Sequence, residues 1–209
     1  DEKRIAGPLQ WDFMKPGEPH WLMQGVEREM LAAPTWHARV SLKGGTPALR
    51  FMEPLKGRYD GIPKDSAEPA LVVNRAGAGH AIYFAGDFGA MAAGFHLPEY
   101  LRIAANAARR LAPPPFRLEN VPGSVEVVWR EQPGRKLLHL VNFTGEMTRP
   151  ITSVIPLRDV RVTLPAPAPF TRVHTLMEPR ELPVRRSANG ELRVTLPHAA
   201  EYEVLVFEK

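Results

Sequence analysis

Residues 72–89 read VVNRAGAGHAIYFAGDFG, with Gly77 and Gly79 between two apolar runs and a lone acid, Asp87, after the second. A phosphate-cradling P-loop needs G-x-x-x-x-G-K-S/T opening a helix, whereas Gly79 is followed by His80 and then by a strand pattern. The dinucleotide fingerprint G-x-G-x-x-G sits between a strand and a helix, but the third glycine here, Gly86, follows a strand. A phosphate would face no helix N-terminus. Both glycines read instead as residues that permit positive φ in a tight hairpin. Residues 70–75 and 80–86 are then adjacent antiparallel strands, both largely buried, with Ala76–Gly79 as a turn that carries no ligand.

Working outward from the hairpin, PEYLRIAANAARRL (98–111) reads as an amphipathic helix. Pro98 suits the first turn, Leu101, Ala104, Ala105, Ala108 and Leu111 recur at helical spacing, and Arg109-Arg110 close it. LAPPPF (111–116) cannot continue a helix and sets a stiff connector. The expected organisation is therefore an N-terminal domain over 1–112, a linker over 113–116 and a C-terminal domain over 117–209. After the linker only strands are expected: SVEVVWR, KLLHLVNF, DVRVTLP, FTRVHTLM, ELRVTLP and EYEVLVFE. Short strands separated by Pro, Gly and Asn predict a β-sandwich. In the first half, WHARVSL, ALRFME, ALVVNR and AIYFAG read as strands with one clear helix. No crossover long enough for neighbouring parallel strands lies between 32 and 97. The predicted fold class is a partial α/β or small α+β domain followed by an all-β sandwich.

Composition bounds the function classes. With 44% apolar residues the 209-residue chain can build real cores, and its 22 prolines favour short strands over long helices. It has no cysteine, so a disulfide framework and a thiolate metal site are both excluded. This composition fits a reducing compartment, and a cytoplasmic location is the expectation. No run reaches the ~18 apolar residues of a membrane span, so no membrane partner is expected. The net charge is +4, but the basic residues are interleaved with acids as on a solvated surface, so neither is a nucleic-acid partner.

The order of these motifs resembles β-galactosidase-like glycoside hydrolases. Asn74, Arg75, Gly77, Gly79, Tyr83, Phe84 and Asp87, followed by Leu101, Asn106 and Ala107, are similar to the end of their trimerisation domain. The segment KLLHLVNFTGEMTRPITSVIPLRDVRVTLP (136–165) and the closing EYEVLVFE resemble their C-terminal β-sandwich. The likeness covers roughly residues 68–209. It implies a glutamine-amidotransferase-like α/β domain, subunit association, and a catalytic (β/α)₈ barrel carried elsewhere, since that barrel needs about 250 residues. The chain is then a piece of a longer glycosidase, or a gene product that retains the accessory part. Homo-oligomerisation, or association with the rest of such a chain, is the expected partnership.

Candidate chemistry is sparse. His96 and Glu99 are the nearest approach to a ligand pair among seven histidines, without the third ligand a catalytic zinc needs, so no metal is expected. No G-x-S-x-G elbow is present, no cofactor motif survives, and no catalytic residue is assigned. Asp87, at the end of a buried-looking strand, is a candidate polar site, and equally a cap for the next turn. A small hydrolase built around it is the least favoured reading. Trp11, Phe13, Trp21 and Trp36 are candidates for sugar stacking, for an interface, or for plugging a core edge. The first of these uses makes a carbohydrate-binding module the alternative function. Asn142-Phe143-Thr144 is an N-glycosylation triplet.

Overall fold

The computed structural model describes residues 5–6, 13–34, 36–55, 59, 61–146 and 148–209. The chain forms two compact units, Asp1–Pro113 and Pro114–Lys209. The N-terminal unit contains β1 (Ile5–Ala6), β2 (Phe13–Pro16), a 3₁₀ turn (Trp21–Met23), β3 (Leu31–Ala32), β4 (Trp36–His37), β5 (Thr46–Met52), β6 (Asp65–Ala76), β7 (Gly79–Phe84), α1 (Phe88–Phe95) and α2 (Pro98–Leu111). Its main sheet runs β3-β2-β5-β6-β7, and β1 pairs with β4 separately. Every pairing among the described residues is antiparallel, so the lack of a crossover is no obstacle.

The hairpin of residues 72–89 is confirmed in register, Leu71 opposite Phe84 through Ala76 opposite Gly79. The turn is tighter than expected, two residues rather than four. Only Gly77 has positive φ, 58°, at the first central position where a type II′ turn needs it. Gly79 begins β7 as ordinary strand. β7 is also less buried than expected, because it is the edge strand of its sheet.

One core joins the sheet to both helices, with Met14, Leu49, Leu71, Met91, Tyr100 and Ile103 in contact. The helix at 98–111 forms as predicted, but its buried face is rotated from the expected one. Tyr100 and Ile103 face the core, while Leu101 and Leu111 are 55% and 43% exposed. Leu97, Tyr100, Ile103 and Ala107 also recur at helical spacing, and the larger Tyr100 sets the phase. Its hydroxyl donates to the Ala32 carbonyl at 2.7 Å. Burial first, then the neighbouring Glu99, holds this phenol far above its ordinary range.

The C-terminal unit contains β8 (Arg117–Glu119), β9 (Val125–Gln132), β10 (Arg135–Asn142), β11 (Leu157–Leu164), β12 (Arg172–Thr175), β13 (Arg185–Arg186), β14 (Leu192–Ala199) and β15 (Tyr202–Glu208). They form two four-stranded antiparallel sheets, β12-β15-β10-β9 and β13-β14-β11-β8. The six expected strands are present, and the short β8 and β13 complete one sheet. Leu138, Leu140, Val160, Val162, Leu196 and Phe207 belong to one core shared by the two sheets. This is a β-sandwich.

Candidate functional site

The chain just after β7 is laid against β4 by two backbone hydrogen bonds that together form one antiparallel bridge. Ala38 N donates to Ala85 O at 2.7 Å, Asp87 N donates to Trp36 O at 3.1 Å, and His37 bridges Gly86. The approach demands a glycine: a Cβ on Gly86 would lie 2.8 Å from Pro34 Cγ and 3.0 Å from Trp36 O. The result is an open cleft of about 410 Å³ lined by Trp36, His37, Tyr83 and Asp87. Trp36 is 47% and Tyr83 51% exposed. His37 forms its floor, stacked on Phe51 with ring centres 4.2 Å apart and with Nδ1 3.2 Å from Pro34 O.

Asp87 is the N-cap of α1, its Oδ1 accepting from Ala90 N at 3.1 Å. The expectation that no helix follows Gly86 is therefore corrected. Gly89 and Gly94 weaken the helical signal of FGAMAAGF, and aromatic packing supplies what propensity lacks. Phe88 of α1 packs on Phe84 and Tyr100 with ring centres 4.2 and 4.8 Å apart. The capping carboxylate sits where a phosphate would have to bind, and repels it. A carboxylate has about four acceptor positions, so Asp87 keeps capacity beyond the cap.

The cleft therefore offers two aromatic rings and one carboxylate. It can stack on the apolar face of a ring and accept hydrogen bonds from hydroxyls. Glycoside hydrolysis needs a pair of carboxyl groups about 5–9.5 Å apart, and Asp87 is the single acid lining the cleft.

Of the four aromatic candidates, Trp36 reaches this cleft. Phe13 lines a different cavity of about 480 Å³ with three acids, Glu53, Asp65 and Glu68, of which Asp65 and Glu68 are tied to Lys15 and Arg39 at 3.0 and 3.2 Å. Trp21 packs against the core beside His20. Trp11 lies outside the described residues. Tyr83 was missed as a site residue, although Ile82 and Phe84 are the apolar partners of an edge strand and a period of two turns Tyr83 outward. His96 is the left-handed C-cap of α1 and Glu99 pairs with Arg28, so the two serve separate local roles. Asn142 is buried, and its Nδ2 donates to Ile155 O and Ala200 O, both at 2.8 Å. Glycosylation there would require the sandwich to open.

No protein-family model matches the sequence, and no curated protein matches it significantly. Solved structures do match. An α-L-fucosidase isoenzyme 2 from Paenibacillus thiaminolyticus superposes with a TM-score of 0.69 at 20% identity, over 98% of this chain and 33% of that one. A cold-adapted β-galactosidase from Rahnella sp. R3 matches with a TM-score of 0.47 at 17% identity, over 96% of this chain and 22% of that one. The fold is one that glycoside hydrolases contain. The chain spans about a third of the fucosidase's length. Among the described residues, no helix is long and apolar enough to cross a membrane.

Proposed function

We propose that this chain is a non-catalytic accessory segment of a glycoside-hydrolase-like protein. Its N-terminal unit is read as the end of a trimerisation-like α/β domain and its C-terminal unit as the accompanying sandwich. Its work is subunit association, as a homo-oligomer or with the rest of a longer glycosidase chain, and support of a barrel carried elsewhere. One observation carries the reading: essentially the whole chain superposes on a third of a fucosidase. The topology supports it, because a (β/α)₈ barrel is built of parallel strands and every described pairing here is antiparallel. A cysteine-free composition fits the cytoplasm as its location. The purified 209-residue chain is expected to show no saturable hydrolysis of nitrophenyl fucoside or galactoside, and to sediment as an oligomer or bind a separately expressed barrel. Turnover that survives purification would overturn the non-catalytic reading.

The Trp36–Tyr83–Asp87 cleft favours a second reading, a carbohydrate-binding module. Calorimetric titration with neutral oligosaccharides separates the two, since binding lost in Trp36→Ala and Tyr83→Ala would support the module. A small hydrolase around Asp87 has less support, because its carboxylate caps a helix.

A further inference from the structure

The outer face of sheet β13-β14-β11-β8 carries a row of arginines set by strand register. Arg185 lies opposite Arg193, Arg193 opposite Thr163, and Thr163 opposite Arg117, so one line crosses all four strands. The next row on this face runs Thr195, Arg161, Glu119. Residues directly opposite in antiparallel strands have Cβ atoms about 5 Å apart, and like charges there are destabilising. Arg185 and Arg193 form such a pair.

The acids on this face do not balance it. Glu191 is shared by two guanidinium groups, accepting from Arg117 and from Arg193 Nη2 at 2.8 Å. Glu119 serves Arg161 at 3.2 Å. Arg186 has a folding role, donating to the Ala168 and Phe170 carbonyls at 2.9 and 2.7 Å. Arg185 remains facing its like-charged neighbour. All five arginines line one groove of about 510 Å³.

We propose that this groove binds an acidic polysaccharide, a sugar chain carrying sulfate or carboxylate groups. One anionic group sits between Arg185 and Arg193, where it converts a repulsive pair into two charge-assisted hydrogen-bond donors. Arg117 in the same row and Arg161 in the next supply further planar forks. The hydroxyl of Thr195, set among the guanidinium groups, matches a polymer that alternates charge with hydroxyls. A nucleic acid fits less well, because no aromatic side chain lines the groove to stack on a base. The inference stands on sheet register, ion pairing and the lining of the groove, and does not depend on the accessory reading.

The test uses the full 209-residue chain and four probes: heparin for sulfate, polygalacturonate for carboxylate, dextran as the neutral polymer, and single-stranded oligo-dT. One or both acidic polysaccharides are expected to bind, dextran not at all, and which of the two binds identifies the anionic group. Because the whole chain is basic, the decisive comparison is between two variants that lose the same charge. Arg185→Gln/Arg193→Gln should weaken binding about tenfold or more. Arg109→Gln/Arg110→Gln, on α2, should change it less than about threefold. Equal losses in the two variants, tighter binding of oligo-dT than of either polysaccharide, or no binding of both acidic polysaccharides would overturn the proposal. The single variant Arg185→Gln guards against a folding artefact. Its melting temperature should equal or exceed that of the parent chain, since it removes a repulsion, and a marked drop would give Arg185 a structural role instead.

Discussion

Along β10, each residue from Arg135 to Asn142 has a ladder partner in β9, and β15 pairs with most of the same strand on its other side. Along β5, by contrast, the register against β6 shifts between Pro47 and Leu49, between Leu49 and Arg50, and again between Arg50 and Met52. The sandwich satisfies its backbone largely through its ladders. In the N-terminal unit some backbone carbonyls are held by side chains reaching far across the sequence. Tyr100 donates to a carbonyl 68 residues away, and Asn106 Nδ2 donates to Leu22 O and Gln24 O at 2.8 Å each, holding α2 against the 3₁₀ turn. Each buried backbone group needs a partner, and where strands are too short to supply one, a specific polar side chain must. Polar substitutions should therefore cost most wherever a side chain stands in for a ladder, whichever unit it belongs to.

The strongest test lies where the sandwich breaks its own pattern. Glu203 is 1% exposed, and its carboxylate accepts from Leu176, Met177, Glu178 and Val204 backbone N–H groups at 2.8–3.1 Å. It does for the loop after β12 what a ladder does elsewhere. Glu203→Ala should cost about 3 kcal/mol, because it strands several donors and the acceptor was charged. Glu203→Gln should cost less but still measurably, since its amide nitrogen turns a donor toward donors. Urea denaturation reads both. A loss under about 1 kcal/mol for the alanine variant would mean water replaces the carboxylate.

The next test compares glycines within the N-terminal unit. Gly45 has φ of 88°, and a Cβ there would lie 2.8 Å from Val73 O. Gly45→Val should cost about 1–3 kcal/mol through backbone strain alone, with the collision added. Gly79 has no positive φ, and a Cβ there would meet only Ala76 O at an ordinary 3.8 Å. Gly79→Val should be close to neutral in a strand that suits β-branched residues. Thermal melts that show equal losses would place the hairpin turn one step later than its register implies.

This contrast also explains what could be read from the sequence. The strands β9, β10, β11, β14 and β15 were legible because long alternation of period two has few competing explanations. The two-residue strands β1, β3, β4 and β13 were not, because two residues carry no period. WHARVSL reads as a seven-residue strand, yet only Trp36–His37 pair as one. Of the cleft, Trp36 and Asp87 were each legible alone, as an exposed-looking aromatic and a strand-end acid. Their convergence was not, because it depends on Gly86 admitting Pro34 and Trp36 from about 50 residues earlier in the chain. The arginine row was invisible for the same reason: Arg117, Arg185 and Arg193 become neighbours only once register is known.

A smaller effect is expected at Asp87, where local capping and ligand contact can be separated. Asp87→Ala should destabilise by about 1 kcal/mol, the usual cost of losing an N-cap. Asp87→Asn keeps the capping oxygen and should cost less than half of that. If the cleft also takes a saccharide, the asparagine variant should bind it more weakly while melting normally. Equal melting of the alanine variant and the parent chain would remove the capping role, and unchanged saccharide binding by the asparagine variant would remove the other.

The smallest effect is one of pH, and it separates the two units. Among the described residues, the carboxyl groups held below the ordinary glutamate value of about 4.5 are Glu131, Glu181 and Glu191, all in the sandwich. Lys136 and then Trp129 lower the first by hydrogen bonding, Arg172 lowers the second, and Arg117 followed by Arg193 lowers the third. A group whose folded value is depressed binds its proton later in the folded chain than in the unfolded one. In the window between the two values the unfolded chain holds more protons, so stability rises with pH there. The contribution is complete above about 4.5 and is lost as pH falls through the depressed folded values. Glu131 and Glu181 are exposed, so salt should screen most of their effect, whereas Glu191 is buried beneath its two arginines and is screened less. Hydrogen exchange can read the two units separately, and on acidification below about 4.5 the sandwich should lose protection more steeply than the N-terminal unit. Glu191→Gln should flatten that dependence, because it removes the proton-binding site while leaving an oxygen for Arg117 and Arg193. An unchanged acid slope in Glu191→Gln would show that the shared carboxylate does not couple pH to the stability of the arginine-bearing sheet.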